Sequence, residues 1–291
     1  MNARVTGAAR TRRIAATLGL ASAALMATQL TLVAPAGAAL PGLTRVVSTG
    51  QPDSNWKTWQ AACPSDTMLI GGGGRVNRSD GQVTMDTMTP VFGATDVYSV
   101  TGREDDNAYS GDWSITATAL CARPPVGWEQ TESAGPWNSN SKGHTVFCPP
   151  GKQILGFGVE MNGGMGQVVV DELRPAADLS SVTITGIEDG NGYADDWQIR
   201  GEAICVSPIA GLARVSSPLG ILDSERTKSA TATCPDGKRV HGVGGEIDQG
   251  AGQVRMTAIE PISDTQVRVS ASEDEDGYGN LWAVRAYAIC A

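Results

Sequence analysis

The feature that most restricts this chain is that its body is written three times. Cys63-Pro64, Cys148-Pro149 and Cys234-Pro235 set a common register. Eight residues after each Cys stands Gly71, Gly156 or Gly242, and ten after it Gly73, Gly158 or Gly244. Gln82-Val83, Gln167-Val168 and Gln253-Val254 follow, then Pro90, Pro175 and Pro261, without a gap. Lys57, Lys142 and Lys228 each precede the Cys by six residues. The second half of the unit restarts at Glu104-Asp105, Glu188-Asp189 and Glu273-Asp274. It continues through Tyr109, Tyr193 and Tyr278, then Trp113, Trp197 and Trp282, and ends on Cys121, Cys205 and Cys290. Repetition this regular marks a repeat architecture, and a unit of about 84 residues is too long for one solenoid turn.

Each copy contains two cysteines, and the segments ahead of the first copy explain their state. Arg4, Arg10, Arg12 and Arg13 form a basic start without acids, followed by an Ala-, Leu- and Thr-rich stretch ending in Ala36-Gly37-Ala38-Ala39. That is the layout of an export signal cut after Ala38 or Ala39, and it is similar to actinobacterial leaders. The organisation expected is therefore a signal over residues 1–38 and β repeats over 39–123, 124–207 and 208–291. A secreted, extracellular chain with an even cysteine count is expected to be oxidised. The simplest pairing is within copies: Cys63–Cys121, Cys148–Cys205 and Cys234–Cys290. Closing a loop of this length contributes ~4 kcal/mol in the chain-entropy treatment. A module this small needs such a staple.

Removing the signal takes four of the 22 Lys and Arg and none of the 31 acids, which leaves 18 against 31 and a net charge of −13. Such a chain is repelled by nucleic acid and by anionic lipid. No stretch after the signal is long and apolar enough to span a bilayer. Neither a nucleic-acid partner nor membrane insertion is expected; glycans, cationic protein partners and divalent cations remain.

Apolar periodicity is that of strands. Trp197, Ile199, Gly201, Ala203 and Cys205 alternate with polar residues, as do Trp282, Val284, Ala286, Ala288 and Cys290. This period of two marks half-buried strands. A phase slip between Met256 and Ile259, repeated between Val170 and Leu173, predicts a β-bulge. Five or six antiparallel strands per copy follow. The Gly pairs two apart leave one strand face bare, so a backbone or a large ring can approach, with the repeated Trp as the candidate filler. The fold class expected is all-β: three tandem, small, antiparallel β-sandwich-like modules, each with one disulfide. Separate modules are preferred, and a single threefold β-prism is the alternative.

The acidic hairpins Glu104-Asp105-Asp106-Asn107, Glu188-Asp189-Gly190-Asn191 and Glu273-Asp274-Glu275-Asp276 hold hard oxygen donors. Glu104, Asp105, Asn107, Glu188, Asp189, Asn191, Glu273, Asp274 and Asp276 are candidate Ca²⁺ ligands, calcium being the one cofactor the residues suit. A solvated turn explains the same residues and is preferred. Tyr109, Tyr193 and Tyr278 are candidate sugar-stacking rings, set against packing on the nearby Trp. Trp56, Trp59, Trp128 and Trp137 occur in single copies, so the common fold does not require them and they are candidate ligand contacts. His144 and His241 occupy different positions in their copies, which leaves no repeated catalytic triad and no catalytic residue to nominate.

The series Cys-Pro-x-Gly-Lys, Gly-x-Gly, Gln-Val, Glu-Asp-x-x-Gly-Tyr and Trp-x-(Ile/Val)-x-(Ala/Gly)-x-Ala-x-Cys resembles a recurring class of secreted actinobacterial three-repeat β proteins over the whole chain after the signal. Copy one departs from it at Ser65-Asp66-Thr67, where the others have Gly-Lys. The resemblance implies export and β structure, and no activity. Trp56-Lys57-Thr58-Trp59 before Cys63-Pro64, with the threefold repeat, is similar to vitelline membrane outer layer proteins, whose fold is a threefold β-prism. The copies here are longer. The function expected is non-enzymatic binding of glycan or cell-envelope material through repeated modules, because triplication multiplies weak sites. A structural component of an extracellular particle or surface layer is the alternative, and a secreted hydrolase a second one.

Overall fold

A computed structural model describes residues 39–291; the signal expected over residues 1–38 lies outside the described residues. Each copy forms six strands. Copy one holds β1 (Thr44–Thr49), β2 (Lys57–Ala62), β3 (Met68–Asn77), β4 (Val83–Val91), β5 (Val97–Glu104) and β6 (Ser114–Ala122). Copy two holds β7 (Glu129–Ala134), β8 (Lys142–Phe147), β9 (Gln153–Asn162), β10 (Val168–Pro175), β11 (Ser181–Glu188) and β12 (Gln198–Val206). Copy three holds β13 (Ala213–Ser216), β14 (Thr227–Thr233), β15 (Val240–Asp248), β16 (Val254–Pro261), β17 (Gln266–Glu273) and β18 (Ala283–Cys290). The described residues contain no helix.

The strands make three antiparallel sheets of six. Their orders are β2-β5-β4-β9-β12-β7, β13-β18-β15-β10-β11-β8 and β1-β6-β3-β16-β17-β14. Each copy is thus a two-layered unit with three strands in each of two sheets. Every sheet is completed by three strands of a neighbouring copy. The sheets are named here by the copies they join: 1–2, 2–3 and 3–1. Their cycle closes the molecule on itself. The copies repeat and carry their own staples, but they are not separate in space, because three short pairings stitch them together. These are Thr87↔Glu160 and Met88↔Val159, Glu172↔Glu246 and Leu173↔Gly245, and Ala258↔Arg75 and Ile259↔Gly74.

All three disulfides form within copies, Cys63–Cys121, Cys148–Cys205 and Cys234–Cys290, with Cα separations of 5.7, 5.6 and 5.7 Å. The phase slip is a β-bulge, as the pattern of apolar residues requires. Asp86, Asp171 and Thr257 are the extra residues, at the register shifts Met85/Thr87, Val170/Glu172 and Met256/Ala258.

The glycine pairs serve a different partner from the Trp proposed for them. At the centre of the cycle Gly71, Gly156 and Gly242 meet one another. A Cβ on Gly156 would lie 2.2 Å from Ile70 O, on Gly242 2.4 Å from Leu155 O, and on Gly71 2.7 Å from His241 O. Backbone of the adjoining copy, not an indole, fills the space. The indoles instead lie over Gly102 and Gly186, where a Cβ would come within 2.8 and 2.9 Å of Trp113 and Trp197.

Candidate functional site

The residues common to all copies build the frame. Trp113, Trp197 and Trp282 are fully buried. A buried indole N–H needs an acceptor, and the first Glu of each hairpin supplies it: Glu104, Glu188 and Glu273 Oε1 accept at 2.7, 2.9 and 2.9 Å. One face of each ring is capped by the repeated lysine. Lys57, Lys142 and Lys228 Nζ lie 4.0, 3.7 and 4.4 Å from the ring centroids, a cation–π contact. Each lysine also donates to backbone carbonyls, Lys57 and Lys142 to two and Lys228 to three. Lys142 reaches Asn138 O at 2.6 Å and Trp197 O at 2.7 Å, and burial lowers its pKa. The lysines thus cover the apolar face of each indole. Their ion pairs go to Asp53 and Asp223, not to the hairpins.

The second acid of each hairpin turns inward to the centre. Asp105, Asp189 and Asp274 are all buried and converge on Arg255, a side chain of copy three that is only 1% exposed. Its Nη1 donates to Asp105 Oδ2 at 2.7 Å and its Nη2 to Asp189 Oδ2 at 3.5 Å. Burial pushes the carboxyls of Asp189 and Asp274 up, against the pull of Arg255. The turns entering β4, β10 and β16 lock the hairpins of the neighbouring copies in place. Gly81, Gly166 and Gly252 have φ of +85°, +88° and +82°, and a Cβ there would lie 2.0–2.1 Å from the carbonyls of Glu273, Glu104 and Glu188. Above Arg255 opens a polar cavity of about 190 Å³, lined by Asn107, Asn191, Gln253, Asp274, Glu275 and Asp276 among others.

This placement shows what the candidate calcium ligands contact. Oε1 of Glu104, Glu188 and Glu273 accepts from an indole, and Oε2 of Glu104 and Glu273 accepts the N–H of Tyr109 and Tyr278. Asp105 and Asp189 face a guanidinium, and Asp105 Oδ1 and Asp189 Oδ1 accept the N–H groups of Asn107 and Asn191. Asp274 Oδ1 accepts from the Gly277 N–H at 3.2 Å, and the Asn107 amide donates to Glu275. Among the described residues no three His, Cys, Asp or Glu side chains are arranged to hold a metal ion, Asp276 included.

The aromatic candidates divide. Tyr109, Tyr193 and Tyr278 are half-buried against the core, with Tyr109 and Tyr193 hydroxyls donating to Asp80 Oδ2 (3.2 Å) and Gly163 O (2.7 Å). Trp59 packs on Gly50 and donates to Ser48 Oγ at 2.8 Å. His144 holds the equivalent place in copy two, 2.8 Å from Ser133 Oγ. Trp128 stacks edge-on against Phe92 of copy one, with centroids 5.0 Å apart. Trp56 and Trp137 are the most exposed of them, 60% and 55%, both in loops at the hairpin end, with Arg103 4.7 Å from the Trp56 ring centroid. Fully buried His241 accepts the Leu40 N–H at Nε2 (3.2 Å) and faces Arg239 O through Nδ1 (2.9 Å). Burial lowers its pKa.

Sequence reasoning missed the outer seams, where the two copies of each sheet meet on the solvent side. On the 3–1 sheet, Arg45, Arg75 and Arg268 surround Glu260 in a groove of about 310 Å³. On the 2–3 sheet, Arg174, Arg214 and Arg285 surround Glu172, Glu246 and Tyr287 in one of about 330 Å³. Arg285 Nη1 lies 3.2 Å from Glu246 Oε1, and the Tyr287 hydroxyl donates to Glu246. On the 1–2 sheet, Arg200 pairs with Glu132, with Glu160 at 3.3 Å and with Glu202 at 3.7 Å. The bulge acids stand beside these seams. Asp171 is raised to about 7 by burial and by Glu172, Glu246 and Asp248. Asp86 is raised to about 6 by burial despite its pairing with Arg103. The missed signal was the alternation itself: residues pointing away from the core are polar in every copy, but differ in charge from copy to copy.

Compared with known proteins, the chain matches no family model and no curated protein.

Proposed function

We propose that this protein is a secreted, non-enzymatic binding protein for glycan or cell-envelope material, and that it binds through the outer seams of its sheets. One observation carries the reading. Each seam sets guanidinium donors and carboxylate acceptors side by side on a rigid sheet, and two of the seams form grooves of about 310 and 330 Å³. A sugar hydroxyl both donates and accepts, so adjacent hydroxyls match such paired groups, and convergent polar groups in a preformed concavity are what a small-ligand site requires. Three intact disulfides are in keeping with an oxidising, extracellular setting. The test is a glycan array and a cell-wall pulldown with the secreted protein. Saturable retention lost on Arg285→Gln or Arg200→Gln supports the reading, and no retention on either overturns it.

A second reading, a component of an extracellular assembly, is favoured by one feature. Trp56, Trp137 and Ile221 project from the hairpin end, with Ile221 79% exposed. Light scattering on size-exclusion fractions separates the two, because assembly requires a stable larger species that Trp56→Ser with Trp137→Ser would dissolve.

A further inference from the structure

We propose that the outer seam of the 3–1 sheet is an oxyanion site. On the glycan reading above, from which this inference proceeds, it selects ligands bearing a carboxylate, phosphate or sulfate group. Arg45, Arg75 and Arg268 line the groove, and Glu260 is the one carboxylate lining it. Three cations against one anion is an inverted balance for a chain whose formal charge is −9.

The hydrogen bonds are inverted in the same sense. Glu260 Oε1 accepts from Arg75 Nη1 at 3.4 Å and from Arg268 Nη2 at 2.5 Å. Arg75 Nε donates to Asn77 Oδ1 at 2.6 Å, and Arg45 Nη1 reaches Pro261 O at 3.5 Å. Each guanidinium carries five N–H donors, so most donors in the groove have no protein acceptor. One of them, Arg268 Nε, is buried and has no partner at all. A buried donor in that state is costly. The fork of an arginine fits the two oxygens of a carboxylate or phosphate, which an uncharged hydroxyl does not reproduce. Thr116 and Thr118 complete the lining with hydroxyls suited to a sugar ring beside the anion.

The frame does not need this triad. The positions of Arg45, Arg75 and Arg268 hold Gln130, Glu160 and Ser99 on the 1–2 sheet and Arg214, Glu246 and Thr183 on the 2–3 sheet. Both of those faces close with the same strand order. The three arginines are a property of one face, not of the repeat.

The experiment is calorimetric titration of the whole secreted protein with size-matched oligomers of galacturonate, of glycerol phosphate and of neutral dextran, at low and at moderate salt. The acidic oligomers should bind more tightly than dextran, with affinity falling as salt rises. Arg45→Gln and Arg268→Gln should each weaken acidic binding by about tenfold or more, the scale of one charge-assisted hydrogen bond. Glu260→Gln, which removes the competing carboxylate, should strengthen it. Lys152→Gln, a cation of copy two that pairs with Glu129 and does not line the groove, should not change it. Arg45 lies exposed on the edge strand β1, so its variant remains informative if Arg268→Gln folds poorly. Equal binding of neutral and acidic oligomers, or acidic binding that survives both arginine substitutions, overturns the oxyanion site and leaves the glycan reading standing. If no oligomer binds, the glycan reading falls. Inorganic phosphate then decides the site alone, by shifting the arginine Nε–H resonances or leaving them unmoved.

Discussion

Replacing Arg255 with methionine removes the one cation at the meeting point of three copies while keeping a long side chain in place. Asp105, Asp189 and Asp274 would then face one another in a buried setting without compensation. Breaking a buried ion pair by deleting one partner costs about 3–5 kcal/mol. For a domain of this size that is a fall in melting temperature of roughly 6–20 °C, at about 2–4 °C per kcal/mol. The pH dependence gives the sharper signature. Burial already raises the carboxyls of Asp189 and Asp274 above their ordinary value. A carboxyl whose folded pKa is raised opposes folding when ionised, and this opposition disappears as pH falls through the raised value towards the unfolded one. Loss of Arg255 removes the positive charge that pulls both down, so the variant should recover stability on acidification more than the parent does. Scanning calorimetry at pH 8 and at pH 5 should show a large deficit at the first and a smaller one at the second. Asp189→Asn added to the variant should restore part of the loss at pH 8. A deficit under about 1 kcal/mol, or one that grows on acidification, would refute the argument that charge at this junction ties the copies together.

The remaining predictions are shorter. Asp171 has its folded pKa raised to about 7, so its ionisation opposes folding above that value. Asp171→Asn should therefore stabilise the protein at pH 8 by one to a few kcal/mol as an order of magnitude, and the gain should vanish below about pH 4, where both states are protonated in the parent. Urea midpoints across that range check it. Gly156→Ala puts a Cβ 2.2 Å from Ile70 O at the centre of the cycle and should destabilise by more than about 3 kcal/mol or block folding. Gly93→Ala meets nothing within 4 Å and should lie within about 0.5 kcal/mol of the parent. Cys148→Ala with Cys205→Ala should cost about 2–5 kcal/mol, read as a lowered melting temperature with the other two bridges intact by non-reducing peptide mapping.

What the chain disclosed before its structure was known depended on range. The strand ending in Cys205 and the bulge at Asp171 were legible because both are local departures from, or adherence to, a period of two. The disulfides were legible because each copy brings its own pair. The sharing of sheets was not, since β4 pairs with β9 through only two registered positions, Thr87↔Glu160 and Met88↔Val159, and no local pattern marks them. Gly156 announced a missing side chain but not what would approach it. The Lys57–Trp113–Glu104 constellation was within reach. A buried Trp requires an acceptor, and the only carboxylates common to all three copies are the first two of each hairpin. One holds the indole and the other faces the centre.

Triplication therefore does something other than multiply one weak site. The copies act as their own comparison set. Where all three agree, as at the Cys, the Lys, the Trp, the first Glu of the hairpin and the central Gly, the residue is consumed by the frame. Where they differ on the outer faces, the frame is indifferent. Arg75, Glu160 and Glu246 share one position, and so do Thr118, Glu202 and Tyr287. Charge reversal at a shared position leaves the three outer faces unequal, so on the proposed seam reading they would not act as three identical sites for one ligand. A closed cycle of three sheets instead offers three unlike faces on one scaffold. An extended, chemically mixed polymer would meet each face with a different part of itself, whereas a small uniform ligand would occupy only one. If the proposed binding holds, calorimetry should find one site for a short acidic oligomer and more for a mixed polymer, and equal numbers for both would refute that asymmetry.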